Sequence, residues 1–207
     1  MARYLEATEI LNFNYPDMMN PSNTQSLEVA ELSYNIKTYS KDEIDFVKNA
    51  FEYVRDEISH SADIAGKCVT CTASEVLMAK EGICYAKSHL LAAILRANLF
   101  STGFCYQQLV LDDETDSRFV LHGLNAVYIE QIDKWVRLDA RGNKHGVNAQ
   151  FSLEQEQLAF HVRKEKGEKD IPIIFAKPDK NVVQALISSP TIESLWINFP
   201  QKLHIAL

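Results

Sequence analysis

Positive charge is scarce in this sequence: 21 Lys and Arg stand against 28 Asp and Glu in 207 residues, a formal net charge of −7. Proteins that track phosphates gather cations in a basic patch or stripe, so an acidic chain of this kind is not expected to bind nucleic acid. Long apolar runs are missing as well. No stretch approaches the roughly 18 apolar residues that span a bilayer, and MARYLEATEI has no basic start leading into an apolar segment. No membrane partner is therefore read, and a cytoplasmic location is expected. The four cysteines, at 68, 71, 84 and 105, are too few for a disulfide framework in a chain of this length. A reducing compartment leaves all of them as thiols.

There is also no internal repeat, low-complexity tract or linker. With 46% hydrophobic residues, the chain has the material for one large core. A single domain over 1–207 is expected, with its core at about 41–142 and extensions at 1–40 and 143–207.

The first forty residues mix strand-like pieces with Pro16, Pro21 and polar turns, as a cap on the main body would. From Ser40, SKDEIDFVKNAFEYVRDEI places Ser at a plausible N-cap with Glu43 three residues on, then Ile44, Val47, Ala50, Phe51, Val54 and Ile58 at helical spacing. Thr72 to Met78 reads as a short helix stopped by Gly82. Next comes GICYAKSHLLAAILRA, whose Ala86, Leu90, Ala93, Ile94 and Ala97 share one face that Leu91 and Leu95 widen, so this helix is buried on most sides. Beyond Gly103, FCYQQLVL, RFVLHGLNAVYIE and KWVRLDA alternate like strands and form an antiparallel meander. The tail offers a polar, helix-prone segment at 153–163, a strand in IPIIFA and a helix from about Asn181 to Ile187.

Cys84 opens the buried helix. In its first turn a side chain faces unpaired backbone N–H groups and the positive end of the helix dipole, which suits a nucleophile; an ordinary cysteine is more often a small buried hydrophobe. Gly82 permits a tight entry and the close approach of a substrate. A thiol nucleophile needs a base, and the base needs an orienting acceptor. His122 and Asp139 offer both. If their strands pair about a turn at Gln131 to Asp133, the two are near-opposite, with Cβ atoms roughly 4.5–5.5 Å apart.

Set together, Thr72-Ala73-Ser74-Glu75-Val76-Leu77, Gly82-Ile83-Cys84 with its helix through Leu95-Arg96-Ala97, His122-Gly123-Leu124-Asn125-Ala126-Val127 and Trp135-Val136-Arg137-Leu138-Asp139 resemble the core of the transglutaminase-like superfamily, in a bacterial-type domain. The resemblance covers roughly Ile44 to Asp139. It implies a papain-like α+β fold, with a central helix that starts at the nucleophile and packs on an antiparallel sheet. It also implies Cys84 as nucleophile, His122 as general base and acid, and Asp139 as the group that orients His122.

The sequence departs from the animal enzymes of that family at Ile83, where they carry glutamine, and it has no upstream tryptophan to donate to an oxyanion. The Cys84 backbone N–H and His60 are the donors that remain as candidates. Tyr85, Trp135 and Arg141 are candidate substrate contacts.

The chemistry so implied is acyl transfer through a thioester, most simply hydrolysis of an amide or isopeptide bond in a peptide, protein or small amide substrate. The alternative is a catalytically silent member of the same fold that binds a peptide or protein partner. Cys68-Val-Thr-Cys71 lacks the second ligand pair of a zinc site and the βαβ context of a redox motif, so no metal and no cofactor is expected. His89 lies about 140° around the helix from Cys84 and cannot share its face. Nothing in the sequence speaks to oligomeric state.

Overall fold

The computed structural model describes residues 24–204. The first described element, helix α1 (Thr24–Tyr39), replaces the strand-like pieces expected before residue 40; the earlier part of that expectation lies outside the described residues. Val29 and Ile36 of α1 are buried in the main core, and the Ser33 hydroxyl donates to the Ile94 carbonyl of the buried helix at 2.6 Å.

Helix α2 (Glu43–Glu57) starts later than Ser40 suggests. Asp42 is its cap, and the Asp42 side chain accepts from the Asp45 N–H. A short strand β1 (Ser59–His60) follows and runs parallel to β2 (Glu81–Gly82), with Ser59 opposite Glu81 and His60 opposite Gly82. Between them α3 (Ala73–Ala79) begins with a capping box in which Thr72 and Glu75 exchange hydrogen bonds, and it ends at Lys80 in the left-handed region, φ 54°. Gly82 is thus a strand residue rather than the helix stop. Its lack of a side chain serves packing, because a Cβ there would meet Thr70 Oγ1 at 3.0 Å and Ala86 Cβ at 3.2 Å.

Helix α4 (Cys84–Ala97) is the central element. Every residue from Tyr85 to Leu95 is buried, and the helix packs against α1, α2 and α3 on one side and a sheet on the other. That sheet contains β3 (Thr102–Asp112), β4 (Asp116–Ile129), β5 (Lys134–Leu138) and β6 (Lys169–Phe175), all antiparallel, in the order β5-β4-β3-β6. Side chains alternate across β4. Val127 and Ile129 join the helical core, whereas Leu124 and Ala126 join Cys105, Leu158 and Ile174 in a smaller cluster.

Lys87, one turn after Cys84, is fully buried and donates to the carbonyls of Arg55, at 3.2 Å, and Ile58. It thereby satisfies carbonyl groups at the end of α2 and ties that helix to α4. Residues 153–163 form no helix; they run as a loop along the sheet and feed a single turn at Lys164–Lys166. Helices α5 (Lys180–Ser188) and α6 (Ile192–Ile197) close the described chain.

Candidate active site

Cys84 is the first residue of α4. The N-cap position, Ile83, has no side chain able to accept from the first-turn N–H groups, so those donors stay available at the positive end of the helix. The thiol is half-buried, in a cleft of about 790 Å³ lined also by His60, Asp63, Tyr85, His122, Arg141 and Phe160.

His122 Nε2 lies 2.8 Å from Asp139 Oδ2, and both side chains are almost wholly shielded. Cys84 and His122 line the same cleft, close enough for Cys84 to favour the charged ring. Burial by itself disfavours the charged ring, but the Asp139 carboxylate and Cys84 outweigh it and push the His122 pKa up to about 10. Asp139 moves the other way: burial opposes its charge, yet His122 and the backbone N–H groups of Ala159 (2.9 Å) and Arg141 (3.3 Å) hold it below the usual carboxylate value.

The strand count predicts a near-opposite pair, and the register makes the two diagonal neighbours. The β4–β5 ladder ends at Asn125 opposite Leu138, so continuing the register would set Asp139 against Leu124. Asp139 instead sits just past the end of β5, where the chain is free to turn, and meets His122 diagonally. Phe160 covers the pair, its ring edge-on to His122 at 5.0 Å between centroids.

His60 reaches the cleft because β1 runs beside β2, two residues before Cys84. Burial, with Arg141 nearby, keeps it neutral by lowering its pKa far below the ordinary histidine value. Its Nδ1 has no hydrogen-bond partner among the described residues and stands 3.9 Å from Asp63 Oδ2. Arg141 lines the cleft too, but its guanidinium is engaged by Asp63 in two hydrogen bonds, one of 2.9 Å, and Lys144 joins the same carboxylate at 2.7 Å. Arg141 touches Asp139 through its backbone N–H rather than through its side chain.

Tyr85 is buried and donates its hydroxyl to the Leu121 carbonyl, so it forms part of the cleft floor. Trp135 is not brought to the cleft. It packs on Tyr128, with ring centroids 5.6 Å apart, because residue 135 pairs with residue 128 well along the ladder from His122. His89 is buried elsewhere, its Nδ1 2.7 Å from the Cys71 carbonyl oxygen.

Asp63, Ala159 and Phe160 escape a reading by motif. The one sequence signal for the last two is the apolar triplet Leu158-Ala159-Phe160 inside a polar stretch.

A thiol at a helix start, an imidazole beside it and a buried carboxylate behind the imidazole can carry out nucleophilic substitution at a carbonyl. Comparison with known proteins supplies the family. The profile of the Transglutaminase-like superfamily matches residues 30–140, just over half of the chain. No curated protein matches the sequence.

Similar solved structures include a provisionally named cysteine protease from Cytophaga hutchinsonii, 16% identical over 66% of this chain and 43% of that one, TM-score 0.45. A provisionally named protease from Parabacteroides distasonis is 13% identical over 64% and 25%, TM-score 0.41. A TGase is 18% identical over 69% and 36%, TM-score 0.40. This chain spans less than half the length of each. The profile match over residues 30–140, on an α+β fold of papain-like design, places the chain in the transglutaminase-like superfamily.

Proposed function

We propose that the protein is a cysteine-dependent acyl-transfer enzyme that hydrolyses an amide or isopeptide bond, with Cys84 as nucleophile, His122 as acid and base, and Asp139 as the residue that orients His122. The observation that carries this reading is the shielded 2.8 Å His122–Asp139 contact beside a thiol on the first turn of a buried helix.

In the first half-reaction the Cys84 sulfur bonds to the substrate carbonyl carbon, and the carbonyl electrons move to oxygen. First-turn N–H groups of α4 donate hydrogen bonds to the oxyanion as it develops. His60 adds a second donor when its proton is on Nε2. The tetrahedral adduct collapses, the C–N bond breaks, and the departing nitrogen takes the His122 proton. A thioester and a neutral imidazole remain. In the second half, His122 removes a proton from water, the oxygen attacks the thioester, and the C–S bond breaks to return the thiolate beside protonated His122.

The deciding experiment is iodoacetamide alkylation of the four cysteines at pH 6.5, read by peptide mass spectrometry, in the wild type and in His122→Ala. Burial pushes the Cys71 thiol up to about 11 and the Cys105 thiol up to about 12, so both are internal controls for inert cysteines. Exposed Cys68 controls for simple access. Cys84 is expected to react fastest and to lose at least about ten-fold in rate without His122. A Cys84 no faster than Cys68, or one indifferent to His122, overturns the reading.

A further inference from the structure

One wall of the cleft comes from a part of the chain beyond the family match, which ends at residue 140. Phe199 meets the Tyr85 ring edge-on at 6.2 Å between centroids, and Trp196 packs on Phe199 at 4.7 Å. All three line the cleft, and Tyr85 directly follows Cys84. Trp196 keeps 40% of its surface exposed there, although aromatic side chains of that size are highly buried on average.

The segment that carries the two rings is fastened rather than loose. Arg118 donates to the carbonyls of Trp196 and, at 3.0 Å, Ile197; Gln108 donates to Gln201 O at 2.7 Å; the His204 N–H donates to Asp179 at 2.9 Å. Rings held in this way need little ordering when a ligand arrives.

The same segment closes the alternative way of recognising a substrate. Leu121, the residue before His122, donates its N–H to the Pro200 carbonyl at 2.7 Å, and its own carbonyl accepts from Tyr85. An extended peptide has no free backbone group at Leu121 against which to add as a strand. The charged side chains of the cleft are largely spent on one another, Arg141 on Asp63 and Arg163 on Asp113 and Glu168. On this side of Cys84, the half-buried Phe199 and the exposed Trp196 offer apolar ring surface to a substrate.

We propose that Phe199 and Trp196, backed by the buried Tyr85, form an acyl-group subsite that selects donors bearing an aromatic or large aliphatic group next to the scissile carbonyl. The subsite rests on the reading of Cys84 as nucleophile, deepens it by naming a substrate class, and makes Trp196 and Phe199 specificity-determining residues.

The test uses two electrophiles that differ only in that group, the chloromethyl ketones of acetyl-phenylalanine and acetyl-glycine. Second-order rates of Cys84 modification are read by mass spectrometry and each is divided by the iodoacetamide rate of the same protein. The wild type is expected to favour the phenylalanyl probe by about ten-fold or more. Trp196→Ala and Phe199→Ala are expected to bring the two probes within about two- to three-fold, and Trp196→Phe to retain most of the preference. Melting curves confirm that each variant is folded, and the exposed Trp196 makes its truncation the safer of the two. Equal rates for both probes in a wild type whose Cys84 reacts with iodoacetamide overturn the subsite and leave the nucleophile standing. A preference that survives both alanine variants overturns it too. A Cys84 inert to all three reagents overturns the nucleophile and the subsite together.

Discussion

Asp139 shows how much one buried side chain is asked to do. Its carboxylate accepts from His122 and from the backbone N–H groups of Ala159 and Arg141, with 1% of its surface exposed. An asparagine in that place has one acceptor oxygen where the site needs two, so an amide N–H2 must face a donor. Asp139→Asn is therefore expected to lower hydrolysis of p-nitrophenyl acetate by about 10²-fold or more, with circular dichroism unchanged. At this scale Cys84, His122, Asp139 and His60 are legible in the sequence as candidates, because the helix start at Cys84, the strands that carry His122 and Asp139 and the family resemblance of those motifs single them out where residue type and order alone do not. The fate of Arg141 is not, because its pairing with Asp63 joins residues 78 positions apart; Trp135 is taken up by Tyr128, its cross-strand partner in the β4–β5 hairpin.

Among the elements, α4 and β4 decide whether thiol and imidazole meet. Gly123, next to His122, is where they touch: a Cβ there would lie 2.7 Å from Tyr85 Cδ1 and 3.5 Å from Tyr85 Cα. Gly123→Ala must push helix and strand apart. It is expected to destabilise by about 1–3 kcal/mol, seen as a lower urea midpoint, and to slow Cys84 alkylation at urea concentrations where the variant is still folded. A variant with wild-type alkylation would show that the contact does not set the geometry of the pair. The helical period exposed α2 and α4, and alternation exposed β3, β4 and β5. The loop at 153–163 was misread because its order comes from Asp139, Arg137 and neighbouring side chains rather than from a repeating pattern.

For the whole molecule, the buried charges give stability an unusual dependence on pH. His122 rises from 6.5 to about 10 on folding, so its contribution is fully present below 6.5 and is lost as pH climbs through about 10. Lys87 is lowered from 10.5 to about 7, chiefly by burial, so its penalty is fully present below about 7 and lifts as pH approaches 10.5. The two slopes oppose each other across much of the same range. Removing His122 exposes the second: in urea titrations, the stability gap between the wild type and His122→Gln is expected to be widest near pH 6 and to narrow steadily toward pH 10. A gap independent of pH would mean that His122 is not held protonated in the fold.

The amino-acid sequence by itself determined the kind of protein this is. Hydrophobic periods, a thiol behind Gly82 and a His and an Asp on successive strands are local or nearly local facts, and the resemblance they build to a known family implies the α+β class and the roles of the three residues. The tertiary structure decided what surrounds them: β1 beside β2 brings His60 to the cleft, the end of β5 releases Asp139 from the ladder, and the chain after residue 140 supplies Ala159, Phe160, Trp196 and Phe199. Those contacts join residues tens of positions apart, and no pattern within a short window specifies them, because each depends on where packing sets an entire element.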